Sequence, residues 1–104
     1  MSNMNELMRQ AARVQRNIAR IQEEMKLREW TATVAGNKVV AVVTGERKVS
    51  SITVDPEFFT GEEREVVLDS IVAAVNAASE LAEKDIAAAV SAATGGLKIP
   101  GISA

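Results

Sequence analysis

No cysteine, histidine or tyrosine occurs among the 104 residues, and proline occurs only twice. Without cysteine the chain has neither a disulfide framework nor a thiolate metal site, and without histidine it lacks the commonest general base and imidazole ligand. Aromatic residues are almost as scarce: Trp30, Phe58 and Phe59 make up 3% of a chain that is 47% hydrophobic. The core must therefore be assembled from Ala, Val, Ile, Leu and Met, and three clustered rings make no stacking platform for single-stranded nucleic acid. No apolar run approaches the ~20 residues of a membrane span. The N-terminus opens on a polar amphipathic segment without the apolar stretch of a signal peptide, so the reading is one cytoplasmic domain with no membrane partner.

What is present begins with one helix of two characters. From residue 4 to residue 25 apolar side chains recur at alternating intervals of three and four: Met4, Leu7, Ala11, Val14, Ile18, Ile21 and Met25. At about 100° per residue, Arg13, Arg16 and Arg20 fall within roughly 40° of Arg9, and the apolar seam centres roughly 170° away. The eleven residues from Arg9 to Arg20 span about 16 Å, which matches several successive phosphates along a duplex. Asn3 and Glu6 have capping-box spacing, so the helix is placed from about Asn3 to Arg28. Lys26 and Arg28 extend the basic character but are interleaved with Glu23, Glu24 and Glu29, a pattern of local ion pairs. They are secondary candidates for the same surface.

The formal net charge of −2 hides an asymmetry. Residues 1–22 hold four arginines against Glu6, whereas residues 55–85 hold nine acids against Arg64 and Lys84. Screening limits the reach of distant acids to about 8–10 Å, so a protein that is acidic in bulk can still present a basic surface to a polyanion.

From Trp30 the period changes to two. Residues 30–34 and 39–44 read as strands joined by a tight Gly36-Asn37 turn, and 49–54 as a third strand ended by Asp55-Pro56. The middle strand is apolar on both faces, with Val40 and Val42 on one and Val39, Ala41 and Val43 on the other. One helix layer covers only one face, so Val39, Ala41 and Val43 are the expected contacts of a second subunit. Thr60 and Glu63 read as the capping box of a long second helix. Its seam is Leu68, Ile71, Val75, Ala78, Ala82, Ile86, Ala89 and Ala93, ended by Gly95-Gly96. About 34 residues give roughly 50 Å, longer than the ~35 Å diameter of a compact domain of this size, so both helices must overhang. Residues 1–96 form the expected domain and 97–104 a tail.

Catalysis finds little support. Asp55, Glu57, Glu62 and Glu63 fit no calcium-loop spacing and are explained by strand termination and helix N-terminal charge. Asp69, Ser70, Asn76 and Ser79 have no base within their own pattern, and no phosphate-cradling glycine motif occurs. The expectation is a non-enzyme without metal, cofactor or small-molecule substrate. Trp30, at a strand start beside a helix end, reads as core.

The order helix, three-strand meander, long alanine-rich helix resembles the YbaB/EbfC family of bacterial nucleoid-associated proteins over nearly the whole chain. The resemblance is carried by Asn5-Glu6-Leu7-Met8-Arg9-Gln10-Ala11, by Thr44-Gly45 before Val49, and by Ile52-Thr53-Val54-Asp55-Pro56. The segment Ile71 to Ala78 and the pairs Gly95-Gly96 and Pro100-Gly101 add to it. It implies an α+β homodimer shaped like tweezers, with duplex DNA as ligand in the nucleoid. The glycine- and methionine-rich leader and tail common in the family are reduced here. Arg9, Arg13, Arg16 and Arg20 are then the expected phosphate contacts. No helix-turn-helix, zinc-ligand set or recognition helix rich in Asn and Gln is present, so weak sequence preference is expected. The alternative is a dimer whose helical arms hold a protein partner while the arginines only solubilise the arm.

Overall fold

In the computed structural model, which describes residues 3–95, the elements follow the order α1 (Met4–Met25), β1 (Glu29–Val34), β2 (Val39–Thr44), β3 (Val49–Val54), α2 (Pro56–Gly61) and α3 (Arg64–Ala93). The strands form one antiparallel sheet in the order β1-β2-β3. α3 packs across one face of that sheet, chiefly on β1 and β2, and α1 packs on α3. The molecule is elongated, 72 × 19 × 17 Å.

Each boundary has a local cause. The Asn3 side chain accepts the Glu6 amide at 2.7 Å, the cap expected of α1. The β1–β2 connection is wider than a two-residue turn. It runs from Ala35 to Lys38, with Ala35, Gly36 and Asn37 all in the left-handed region, at φ of 56°, 64° and 68°. The Asp55 carboxylate, not Thr60, caps the next helix, accepting the amides of Glu57 and Phe58 at 3.0 and 3.2 Å. This inserts the short α2, with Pro56 in its first turn where a missing N–H costs nothing. Thr60 instead donates back to the Pro56 carbonyl at 3.0 Å. α3 therefore starts at Arg64, and its 30 residues span about 45 Å.

The core is built where alanines meet. Register pairs Trp30 with Val43, Ala32 with Ala41 and Val34 with Val39, so these residues share one face. Ala74, Ala78 and Ala82 of α3 settle on that face, fully buried. Small side chains on both layers let helix and sheet approach closely, which retains dispersion contacts that larger but misfitting chains would lose. Val39, Ala41 and Val43 are thus covered by the chain's own α3, at 0%, 0% and 1% exposure. Their expected role as subunit contacts is corrected: they have no surface to offer. The uncovered face of β2 is that of Val40 and Val42, half-buried among Thr31, Thr33, Ser51 and Thr53.

The α3 seam also differs from the expected one. Its N-terminal half is rotated by one residue, burying Val67 and Ala74 in place of Leu68 and Val75. From Ala74 the contact residues recur every four: Ala78, Ala82, Ile86 and Val90. Each four-residue step turns the stripe by about 40° around the helix, so one continuous stripe faces the sheet first and α1 afterwards. The expected tail, 97–104, lies outside the described residues.

Candidate nucleic-acid interface

α1 is fixed by its apolar side. Ile18 is buried, while Val14, Ile21 and Met25 are half-buried along the same seam. The opposite side carries Arg9, Arg13, Arg16 and Arg20, all exposed. The structure therefore brings these four together on one helix face, as the spacing requires. They differ in their engagement. Arg9 lies 3.9 Å from Glu6 and Arg20 lies 3.0 Å from Glu24, both exposed pairs that contribute little. Arg13 and Arg16, at the centre of the row, have no ion-pair partner among the described residues.

Lys26 and Arg28 separate from that row. Lys26 lies 3.2 Å from Glu23, the local pair its spacing suggests. Arg28 turns inward: its guanidinium sits 5.0 Å from the centroid of the Trp30 ring and 4.0 Å from Asp85 on α3. The Trp30 indole N–H donates to the same Asp85 carboxylate at 2.7 Å. Trp30 is core, as expected, and Arg28 belongs to the clasp that holds β1 to α3.

The root of α1 is held from a second direction. The β2–β3 turn abuts the end of the helix so closely that a Cβ on Gly45 would lie 1.9 Å from the Met25 carbonyl oxygen. The Gly45 amide donates to the Arg28 carbonyl at 3.1 Å. In the same turn Arg47 pairs with Glu83 of α3. These contacts set the direction in which the arginines project.

One contributor was not singled out from the sequence. The end of α3 and the turn after it, residues 86–95, contain no charged residue, and α1 contains no acid between Leu7 and Gln22. The acids of α3 end at Asp85, so the projecting part of the molecule carries four positive charges and no negative ones over these stretches. The signal was present as the run Ile86 to Gly95, hidden by an acidic total for the whole helix. Among the described residues, no group of three or more acids could hold a metal ion, and no helix is long and apolar enough to cross a membrane.

The chain is similar to known proteins over nearly its whole length. A nucleoid-associated protein of Acetivibrio thermocellus is 40% identical over 101 residues, covering 96% of this chain and 89% of its own. One from Clostridium acetobutylicum is 37% identical over 100 residues, with the same coverages. The fold is shared with an uncharacterized protein of Helicobacter pylori, at a TM-score of 0.67 and 15% identity over 82% of this chain and 89% of that one. The model of the YbaB/EbfC DNA-binding family matches residues 1–97, essentially every element described above, and the chain belongs to that family.

Proposed function

We propose that this protein binds duplex DNA with weak sequence preference through α1, working as a homodimer that coats or bridges the bacterial nucleoid and so influences chromosome organisation or gene expression. The observation that carries the reading is the row Arg9, Arg13, Arg16 and Arg20 on the outer face of a helix whose neighbouring stretch of α3 is uncharged. Family membership and the names of the relatives support DNA as the ligand and the nucleoid as the place. Arginines meeting phosphates give affinity that is nearly blind to sequence. Val39, Ala41 and Val43 play no part in the dimer. Lys26 and Arg28 are satisfied locally and lie outside the binding row.

If a dimer neutralises four to eight phosphates, log affinity falls against log salt with a slope of about −4 to −7. Fluorescence anisotropy of a labelled random-sequence duplex of about 30 base pairs tests this, a length of roughly 100 Å against the ~16 Å row. Wild type is expected to bind with that slope, and the quadruple Arg9, Arg13, Arg16, Arg20→Gln variant to lose binding. Absence of wild-type binding at low salt refutes the reading.

One observation favours a second reading. Met4, Leu7 and Met8 are 71%, 54% and 66% exposed near the start of α1, an apolar strip without cover from α3. Such a strip suits a protein partner held by the arms. Partner binding that survives high salt and fails on Leu7→Lys would identify that mode.

A further inference from the structure

The outer half of α1 carries an apolar seam that α3 does not cover. α1 runs toward the sheet and α3 away from it, so the two lie antiparallel, with Ile86 of α3 lining one hollow with Met25. Further out, Ile18 of α1 and Val90 and Thr94 of α3 are buried. The seam residues beyond them, Ala11, Leu7 and Met4, are exposed, Leu7 at 54% and Met4 at 71%. These three continue the line of Val14 and Ile18, on the side of α1 where α3 would lie if it were longer.

The segment that follows α3 has the length and the side chains to continue that cover. Residues 97–104 carry Leu97, Ile99 and Ile102, one cation, Lys98, and no acid. Gly95, at φ 65°, ends the helix with no side chain to obstruct a change of direction. Ile86 to Thr94 is about 12 Å of helix, which brings the end of α3 level with roughly residue 17 of α1. From that level Ala11 lies about 9 Å further out, Leu7 about 15 Å and Met4 about 20 Å. Extended chain at about 3.3 Å per residue carries Leu97 about 10 Å beyond Thr94, Ile99 about 16 Å and Ile102 about 26 Å. Pro100-Gly101, a turn signal, shortens the last figure. Three apolar residues thus meet three bare seam positions in the same order and at matching distances.

We propose that residues 97–104 dock back along the outer half of α1, Leu97 on Ala11, Ile99 on Leu7 and Ile102 on Met4. The docking takes place within one chain and stands apart from the DNA and homodimer readings. Lys98, between two inward residues, alternates to the solvent side. Because the segment is tethered beside its site, its effective concentration there is in the millimolar range and a small apolar contact suffices. Its role is mechanical: it holds the outer turns of α1, and Arg9 with them, in line with the rest of the row.

With no cysteine in the chain, paired cysteines report contact without background. Full-length Leu7→Cys/Ile99→Cys is equilibrated with reduced and oxidised glutathione beside Arg9→Cys/Ile99→Cys, whose first thiol lies about 3 Å along the helix and on its opposite face. Intact mass gives the fraction of intrachain disulfide, and from it the effective concentration of one thiol at the other. The Leu7 pair is expected to exceed the Arg9 pair by about tenfold or more, and to fall to its value when Leu97→Asp is added. Equal effective concentrations in the two pairs overturn the proposal and leave the seam to a protein partner. A disulfide that joins two chains in place of one overturns it as well, and gives the seam to a second copy. Amide hydrogen exchange tests the mechanical role: exchange over residues 7–11 should be faster in Ile99→Asp than in wild type, and equal rates overturn that role.

Discussion

Replacing Gly45 by alanine brings a methyl carbon to 1.9 Å from the Met25 carbonyl oxygen and 2.6 Å from its carbon. Both neighbours are backbone, so no side chain can swing aside, and the turn must retreat from α1 by about 1 Å to reach the shortest contact that real Cβ atoms tolerate. Overpacking of this type costs about 1–3 kcal/mol, and the rigid neighbour places Gly45→Ala near the top of that range. The retreat also stretches the 3.1 Å bond from the Gly45 amide to the Arg28 carbonyl, a further loss of about 1 kcal/mol. A total of about 3–4 kcal/mol corresponds to a fall in Tm of roughly 12–30 °C for a domain of this size. Gly61→Ala is the matched control: nothing lies within 4 Å of its Cβ and its φ is not positive, so it should change stability by less than about 1 kcal/mol, toward greater stability. Urea unfolding followed by circular dichroism, both variants at one protein concentration, reads the difference directly. Equal midpoints for the two variants would refute the argument that the turn clamps the root of α1.

Trp30→Phe removes the indole N–H from Asp85 while keeping a ring beneath Arg28, and should destabilise by about 1–2 kcal/mol in the same urea assay, with Asp85→Asn added to Trp30→Phe costing little more. Ala78→Leu forces three extra heavy atoms between α3 and the sheet at a position with no exposure, and should lower stability by about 1–3 kcal/mol. In the anisotropy assay, Arg13→Gln and Arg16→Gln, each present in both copies of the dimer, should each reduce the salt slope by about 2 and weaken all duplexes alike, whereas Arg28→Gln should leave the slope unchanged and show itself in a lower Tm.

The elements that could be read from sequence were those with one periodic answer. The seam and arginine row of α1 are separated by almost half a turn, so a single helix was the only arrangement that reconciled them. Trp30 is the only tryptophan, and a bulky ring at the start of an alternating strand has few places to go but inward. β2 was different. Val39 to Val43 is apolar at every position, so alternation specified a strand without saying which face α3 would cover. That choice is settled by partners on other elements, Ala32 and the Ala74-Ala78-Ala82 stripe, whose small size admits close packing. α2 was missed because Thr60 and Glu63 match a capping box in pattern, while Asp55-Pro56 just upstream offers a better cap and the favoured first-turn proline. Arg28 reads from sequence as a secondary member of the basic surface with acidic neighbours for local ion pairs, yet its carboxylate partner Asp85 lies across the fold, where local spacing cannot point.

The stripe on α3 stays buried to the end of the helix, with Val90 at 8% and Thr94 at 6% exposure, so α3 gives support for as far as it runs. From Ile86, which lines one hollow with Met25, to Thr94 is about 12 Å of chain at helical rise, whereas α1 runs about 32 Å from Met25 back to Met4. The first helix is therefore a cantilever: roughly its outer 20 Å, with Arg9 and the bare side chains of Met4 and Leu7, extends past the end of α3. The reach of the arginine row is set by a difference in helix length, and a turn added to α3 would shorten the free span of α1 by about 5 Å.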